Sequence, residues 1–280
     1  MRGWVIVSAC IVLAIGLFGF VVTYLVKVRT VASEVGCANN LREITLFAAH
    51  EAKPKPGRDE TRFLHEVPAG TIVLPGVSPD ERLSWVVAAL PGFDQRRQDP
   101  ATILAAIDQA RPWTAEQNRQ AAKARLPVLL CPGAPPEIGS DAPAPTQYLG
   151  IAGLGADAAT LPLSEPLSPR AGCFRYDAPT PFAIIIAGDG LSQSLLYGER
   201  AADLGPWLRG GPSTVRGLDD SPSAKPVVGM AGQFGGCHPV GANWAFADGS
   251  VRFMTYQTDP KILFGLATIA GKDSDPFPGE

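Results

Sequence analysis

Trp4 to Val26 is a run of 23 residues without a charged side chain, with Ser8 and Thr23 as its small polar members. Coiled as a helix, it extends roughly 34 Å, enough to cross a hydrocarbon core of about 30 Å. The run is longer than the roughly 7–15-residue core of a cleaved secretory signal. Lys27 and Arg29 follow it, where a cleavage site wants small neutral residues. The reading is therefore a retained membrane anchor. Basic groups flank both ends, Arg2 on one side and Lys27 and Arg29 on the other, so the positive-inside rule barely sets the orientation. A three-residue N-terminal tail favours a head outside the cytoplasm. The expectation is a single-pass inner (cytoplasmic) membrane protein whose head lies in the periplasm or outside the cell.

No proline occurs from Arg2 to Lys53, so the anchor can continue as one helix to about Ala52, where Pro54 and Pro56 end it. Leu41, Ile44, Thr45 and Ala48 recur at three and four residues, a stripe that can bury against a head. This divides the chain into an anchor over 1–26, a helical continuation over 27–52 and an α+β head over 53–280. Within the head, 84–90 and one or two segments of 100–124 read as short helices. Residues 71–74, 128–131, 147–152, 182–187 and 195–198 read as strands, the last two paired across Gly188-Asp189-Gly190. The stretch 201–227 reads as irregular, and 260–270 as a final helix. Helices early and strands late argue for an antiparallel sheet with short helices rather than a wound βαβ sheet.

The C-terminal part holds the clearest strand signal, a hairpin over 243–256. Asp248-Gly249 reads as a two-residue type I′ loop, which sets Phe246 opposite Val251 and Trp244 opposite Phe253. Of five cysteines, Cys10 lies in the anchor, and Cys37, Cys131, Cys173 and Cys237 make an even set beyond it. In an exported domain two disulfides are expected, with three pairings open. Cys37 with Cys131 and Cys173 with Cys237 is the preferred pairing. No C-x-x-C pair occurs, which argues against a zinc ribbon.

Several blocks, in order, carry a resemblance to a known family. They are Cys37-Ala38-Asn39-Asn40-Leu41, Ser84-Trp85 through Leu90-Pro91-Gly92-Phe93-Asp94-Gln95, and Pro112-Trp113 with Asn118. Next come Leu130-Cys131-Pro132, Tyr148-Leu149-Gly150 and Tyr197-Gly198-Glu199, and last His238 followed after nine residues by Asp248-Gly249. This resembles the planctomycete family of domain of unknown function 1559, which is similar to type II secretion pseudopilins. The resemblance implies a pilin-like architecture, a long N-terminal helix half in lipid and half in a globular head. It implies a structural, non-catalytic role in the cell envelope or a secretion-like assembly, with the membrane, a second copy or other pilin-like subunits as partners. The signature residues are His238, Asp248 and Gly249. One departure stands out. Pilin-like members carry Gly followed by Phe-Thr-Leu-Ile-Glu, whereas here Gly3 precedes Trp4-Val5-Ile6-Val7-Ser8. A serine cannot supply the missing carboxylate, which points to a stationary anchored relative.

Catalytic patterns are sparse. His50 lies near the end of the long helix, and His65-Glu66 lacks the second histidine of a zincin helix. His238 could join Asp248 or Asp189 and Ser192 or Ser250 in a hydrolytic triad, but no Gly-x-Ser-x-Gly elbow supports it. The favoured role for His238 is a bond at the base of the hairpin, and for Asp248 a place in its turn. Gly153-Leu154-Gly155 lacks the setting of a dinucleotide loop, and Gly271-Lys272 is followed by Asp273 rather than Ser or Thr. Asp219-Asp220 and Asp273 with Asp275 lack calcium-loop spacing. Trp85, Trp113, Trp207 and Trp244 are scattered as core residues are. A net charge of −3 without a basic run excludes a nucleic-acid footprint. No cofactor, metal or enzymatic activity is expected; a tethered polysaccharide- or peptide-binding module is the alternative, and an envelope hydrolase centred on His238 a third reading. N-terminal sequencing of the mature membrane protein should find a start before Lys27; a soluble species starting beyond it would refute the retained anchor.

Overall fold

The computed structural model describes residues 2–50, 66–93, 99–139, 141–164 and 167–270. Its helices are α1 (Arg2–His50), α2 (Val86–Ala89), α3 (Pro100–Ala105), α4 (Arg119–Ala122), α5 (Phe182–Ala187) and α6 (Pro260–Ala267). The strands are β1 (Glu66–Val67), β2 (Tyr148–Leu154), β3 (Thr180–Pro181), β4 (Leu195–Glu199), β5 (Val215–Leu218), β6 (Gly241–Phe246) and β7 (Val251–Thr255). The class is α+β, a long apolar helix followed by a head of sheets and short helices.

Helix α1 is unbroken over 49 residues. Its described stretch Ile11–Leu46 includes a window of mean hydropathy 2.3, none of it covered by the protein, so one helix is long and apolar enough to cross a membrane. Further along, α1 enters the head. Cys37, Asn40, Leu41, Ile44 and Thr45 are buried, while Asn39, Arg42 and Leu46 remain exposed. The stripe expected from Leu41, Ile44 and Thr45 is thus the seat of the head; the side chain of Ala48 lies outside the described residues.

The main sheet has the order β5-β2-β4-β6-β7, and β1 with β3 forms a separate two-residue ribbon. Four strands alternate antiparallel, but edge strand β5 runs parallel to β2. The sheet is therefore mixed rather than antiparallel throughout. The reason is the stretch 200–214, which carries the chain from β4 across to the far side of β2, a crossover too long for a hairpin. Side chains divide by the period-2 rule. Leu149, Ile151, Leu195, Trp244, Phe246 and Met254 pack with Leu263 and Leu266 of α6 on one face. Tyr148, Ala152, Tyr197 and Ala245 point to the other, where Trp85, Phe174, Leu41 and Ile44 cover them. Gly198 lets the Trp244 indole lie close against β4: a Cβ there would sit 2.8 Å from the ring.

The C-terminal hairpin forms, but one residue out of the expected register. Trp244 faces Arg252, Asn243 faces Phe253, and Ala245 faces Val251. The loop is three residues, Ala247-Asp248-Gly249, closed by Phe246 N–H to Ser250 O (2.9 Å) and Gly249 N–H to Phe246 O (3.0 Å). Gly249 alone takes the left-handed conformation, φ +87°, whereas a type I′ loop needs it at Asp248 as well. A single residue of slip moves Phe253 to the face opposite Trp244, and Arg252 instead lies over the Phe246 ring at 4.5 Å.

Other local expectations fail for tertiary reasons. Residues 182–187 form helix α5 rather than a strand, since Phe182 and Ile185, three apart, are the positions buried. Strand β4 pairs with β2 and β6 instead, so Gly188-Asp189-Gly190 ends a helix rather than turning a hairpin. Residues 127–129 make a 3-10 turn opened by Pro127. Thr71 makes only an isolated bridge to Ser84, and β5 emerges inside the supposedly irregular stretch.

Leu41→Ala should cost roughly 2–5 kcal/mol of head stability, while Val35→Ala on the exposed side should change it by no more than about 0.5 kcal/mol. Denaturant unfolding of the full chain in detergent, followed by tryptophan fluorescence, measures both.

Candidate functional site

Beneath α1 the sequence brings six separate segments to one buried place. Asn40 comes from α1, Cys131 from the turn after residues 127–129, Gln147 and Tyr148 from the start of β2, and Glu199 from the end of β4. Cys237-His238 precede β6, and Asn243 lies within it. All are buried. The Glu199 carboxylate is the centre: it accepts the Asn243 backbone N–H at 2.7 Å and the Asn243 side-chain amide at 2.9 Å. His238 Nε2 stands 3.5 Å from Glu199 Oε1 and 3.9 Å from Cys131 Sγ, and the His238 ring meets Phe253 edge-on at 6.1 Å. The Asn40 amide donates to Leu130 O at 3.0 Å and to the Tyr148 hydroxyl at 3.4 Å. Gln147 accepts the Cys131 N–H at 2.7 Å and donates to Ala134 O at 2.9 Å. A buried carboxylate is costly unless such donors surround it.

The helix is also tied covalently. Cys37 of α1 is bonded to Cys131, with Cα atoms 5.3 Å apart and a sequence separation of 94. Closing a loop of that length is worth roughly 4–5 kcal/mol in the chain-entropy account. The expected second bridge is absent: Cys173 and Cys237 are both free. Cys173 is packed in the main core, whereas Cys237 lies against the Cys37–Cys131 bridge, so the two thiols belong to different clusters. Burial pushes both thiols up; the charge of Asp189 adds to this at Cys173 and that of Glu199 at Cys237. Burial, then Glu199, likewise holds the Tyr148 phenol well above its usual range.

The signature residues separate. His238 sits in this cluster, while Asp248 and Gly249 lie at the far tip of the hairpin. There Asp248 Oδ1 accepts the Ser250 N–H at 2.9 Å, and its own N–H donates to Leu191 O at 3.2 Å. Asp248 thus serves the turn. Ser192 lies in the turn packed on that tip, so neither Ser192 nor Ser250 approaches His238, whose acidic neighbour is Glu199. Beside the tip an apolar hollow of about 300 Å³ is lined by Leu46, Phe182, Ile186, Leu191, Ala247 and Asp248.

The remaining candidates resolve locally. Trp85, Trp207 and Trp244 are fully buried, and Trp113 is half-buried with its indole N–H on Asp80 O at 3.2 Å. Gly153 and Gly155 have φ of +111° and +91°, and a Cβ on Gly153 would lie 2.0 Å from Arg170 O; they serve a close backbone crossing. Asp219 accepts the Ser221 N–H at 3.0 Å in an exposed turn. His65, Asp94, Gln95, Lys272, Asp273 and Asp275 lie outside the described residues, as does the side chain of His50.

Sequence reasoning missed Glu199, Asn243 and Gln147 as members of one site. The signal existed: most of the separate blocks that carry the family resemblance, including Asn40, Cys131, Tyr148 and Glu199, converge here. Residues 27–220 match the family model described as "Protein of unknown function (DUF1559)". The chain belongs to that family. No curated protein and no solved structure gives a match.

The buried thiols set an alkaline limit. An unfolded cysteine titrates near pH 8.5, whereas folded Cys173 and Cys237 keep their protons, so stability is full below that pH and falls as it is exceeded. The expected loss is about 1.4 kcal/mol per pH unit for each thiol, less any partial exposure in the native state. Denaturant titrations between about pH 8 and 10 should show this slope, and Cys173→Ala should roughly halve it.

Proposed function

We propose that this member of the DUF1559 family is a membrane-anchored, pseudopilin-like structural component of the cell envelope, working through packing rather than catalysis. One observation carries the reading. Within and beyond the basic pair Lys27 and Arg29, Val28, Val31 and Val35 are 46%, 60% and 52% exposed. At about 100° per residue they fall on one face of α1, opposite the face through Cys37, Leu41 and Ile44 that enters the head. Outside the span the helix thus carries two apolar stretches on opposite faces, a bare one over 28–35 and, further along, one over 37–44 covered by its own head. A soluble helix has one apolar stripe; a second fits the helix of another copy or of a related subunit.

Two features support a structural rather than chemical role. The polar cluster around Glu199 is closed to solvent, which suits holding α1 in register with the sheet. The same cluster and the Cys37–Cys131 bond anchor the helix at a fixed rotation, so that the valine face is presented consistently. Ser8, in place of the pilin glutamate, favours a stationary assembly over a processed filament. On this reading the head lies in the periplasm or outside the cell, a setting in which the disulfide persists.

A second reading, a tethered binding module for a peptide or polysaccharide, is favoured by the apolar hollow beside Asp248. It predicts that an Ile186→Glu variant loses ligand while the oligomer is unaffected.

Val31→Cys in native membranes should give a disulfide-linked dimer under mild oxidation, and Val31→Glu should abolish crosslinking from a Val35→Cys partner position. Recovery of monomers alone, with the head folded, would refute the assembly.

A further inference from the structure

Cys37, Cys131 and His238 form a group that the structural role does not use up. Their donor atoms all lie within 4.8 Å of one another, and all three residues are buried. With the disulfide closed the sulfurs bond each other. Opened, they leave two thiols in a dry site beside an imidazole and a fully buried carboxylate. We propose that, once the Cys37–Cys131 bond is reduced, the two thiolates, His238 Nε2 and the Glu199 carboxylate bind one zinc ion.

The geometry fits the ion. In a tetrahedral site with Zn–S near 2.3 Å and Zn–N or Zn–O near 2.0–2.1 Å, adjacent ligands sit about 3.6 Å apart for S···N and about 3.4 Å for N···O. The corresponding separations here are 3.9 Å from Cys131 Sγ to Nε2 and 3.5 Å from Nε2 to Glu199 Oε1. The Cα atoms of the cysteines, 5.3 Å apart, lie close enough for one ion to take both sulfurs. Glu199 lies outside that group of three and is offered as the fourth ligand on its approach to Nε2. Asn243, with two bonds to that carboxylate, supplies the outer support that orients a ligand. Two thiolates with an imidazole select zinc over calcium or magnesium.

The balance is simple. A dithiol reductant transfers two electrons and two protons to the protein disulfide, giving two cysteine thiols and the oxidised cyclic disulfide of the reductant. Zinc then enters as a dication while the two thiols release two protons, so the net charge of the buried cluster is unchanged. The ion ties α1, the 131 turn, the 238 loop and, through Glu199, the end of β4, the segments that the disulfide and its neighbours hold in the oxidised protein.

The site does not depend on the assembly reading and is tested without it. The full chain in detergent is reduced with a dithiol, freed of it without oxygen, and titrated with cobalt(II) and then zinc(II). The expected result is one cobalt per chain with a tetrahedral thiolate spectrum, bleached by one equivalent of zinc, and no uptake by the oxidised protein. Cys173→Ser should bind as the parent does. Glu199→Gln should weaken binding by at least the roughly 10–100-fold that loss of an outer-shell partner costs, and Cys131→Ser should at least halve the thiolate charge-transfer band. No uptake by a reduced chain that keeps its near-ultraviolet circular dichroism would overturn the proposal. So would undiminished uptake by a Cys37→Ser, Cys131→Ser double variant, or a reduced chain that loses its tertiary signal and does not regain it with zinc.

Discussion

The structure depends on one helix that runs without a break from an apolar stretch long enough to cross a membrane into a folded head. A helix satisfies its own backbone hydrogen bonds, so it can pass from lipid to protein with no change of conformation. What must change is the side-chain pattern, and it does so within a few residues of Lys27. Before that point the helix is apolar all round. After it, Cys37, Asn40, Leu41 and Ile44 form a narrow stripe that lies on the sheet through Tyr148, Glu199, Asn243 and Ala245. The head is built against that stripe, which together with Trp85 and Phe174 covers one face of its sheet.

Apolar packing alone gives such a contact little direction. A stripe of Leu and Ile can slide by a turn at modest cost, whereas the bonds from Asn40 to Leu130 O and the Tyr148 hydroxyl cannot be made at any other register. The Glu199 carboxylate raises the stakes, because it has lost all contact with water and relies on Asn243 for two of its donors. The Cys37–Cys131 bond then fixes what the hydrogen bonds specify. Buried polar groups of this kind add specificity more than net stability.

Legibility followed the range of the interactions. The apolar run, the proline-free continuation and the stripe at 41, 44 and 45 are local patterns, and the helix follows them. Helix α6 was equally plain, with Asp259 as its cap and Pro260 in the first turn. The hairpin was found but misregistered, because Asp-Gly suits both a two-residue loop and a three-residue loop with glycine alone left-handed; only the packing of Trp244 against Gly198 and α6 separates them. Residues 182–187 misled because three isoleucines favour a strand until the surrounding core buries Phe182 and Ile185 together. Strand β5 has just four residues and forms by pairing with a strand some sixty positions earlier, which no local pattern records. The site itself was half visible: its residues stood in the blocks, but their meeting is a property of the fold.

The absence of any break between the apolar run and the head has a mechanical side. A jointed stalk would let the head wander independently; a rod does not. Were its apolar half set in a bilayer, as proposed, every degree of inclination or axial turn taken up by the rod would be passed whole to the domain at its end. Bilayer thickness, or a neighbour leaning on the stalk, would thereby set where that domain points.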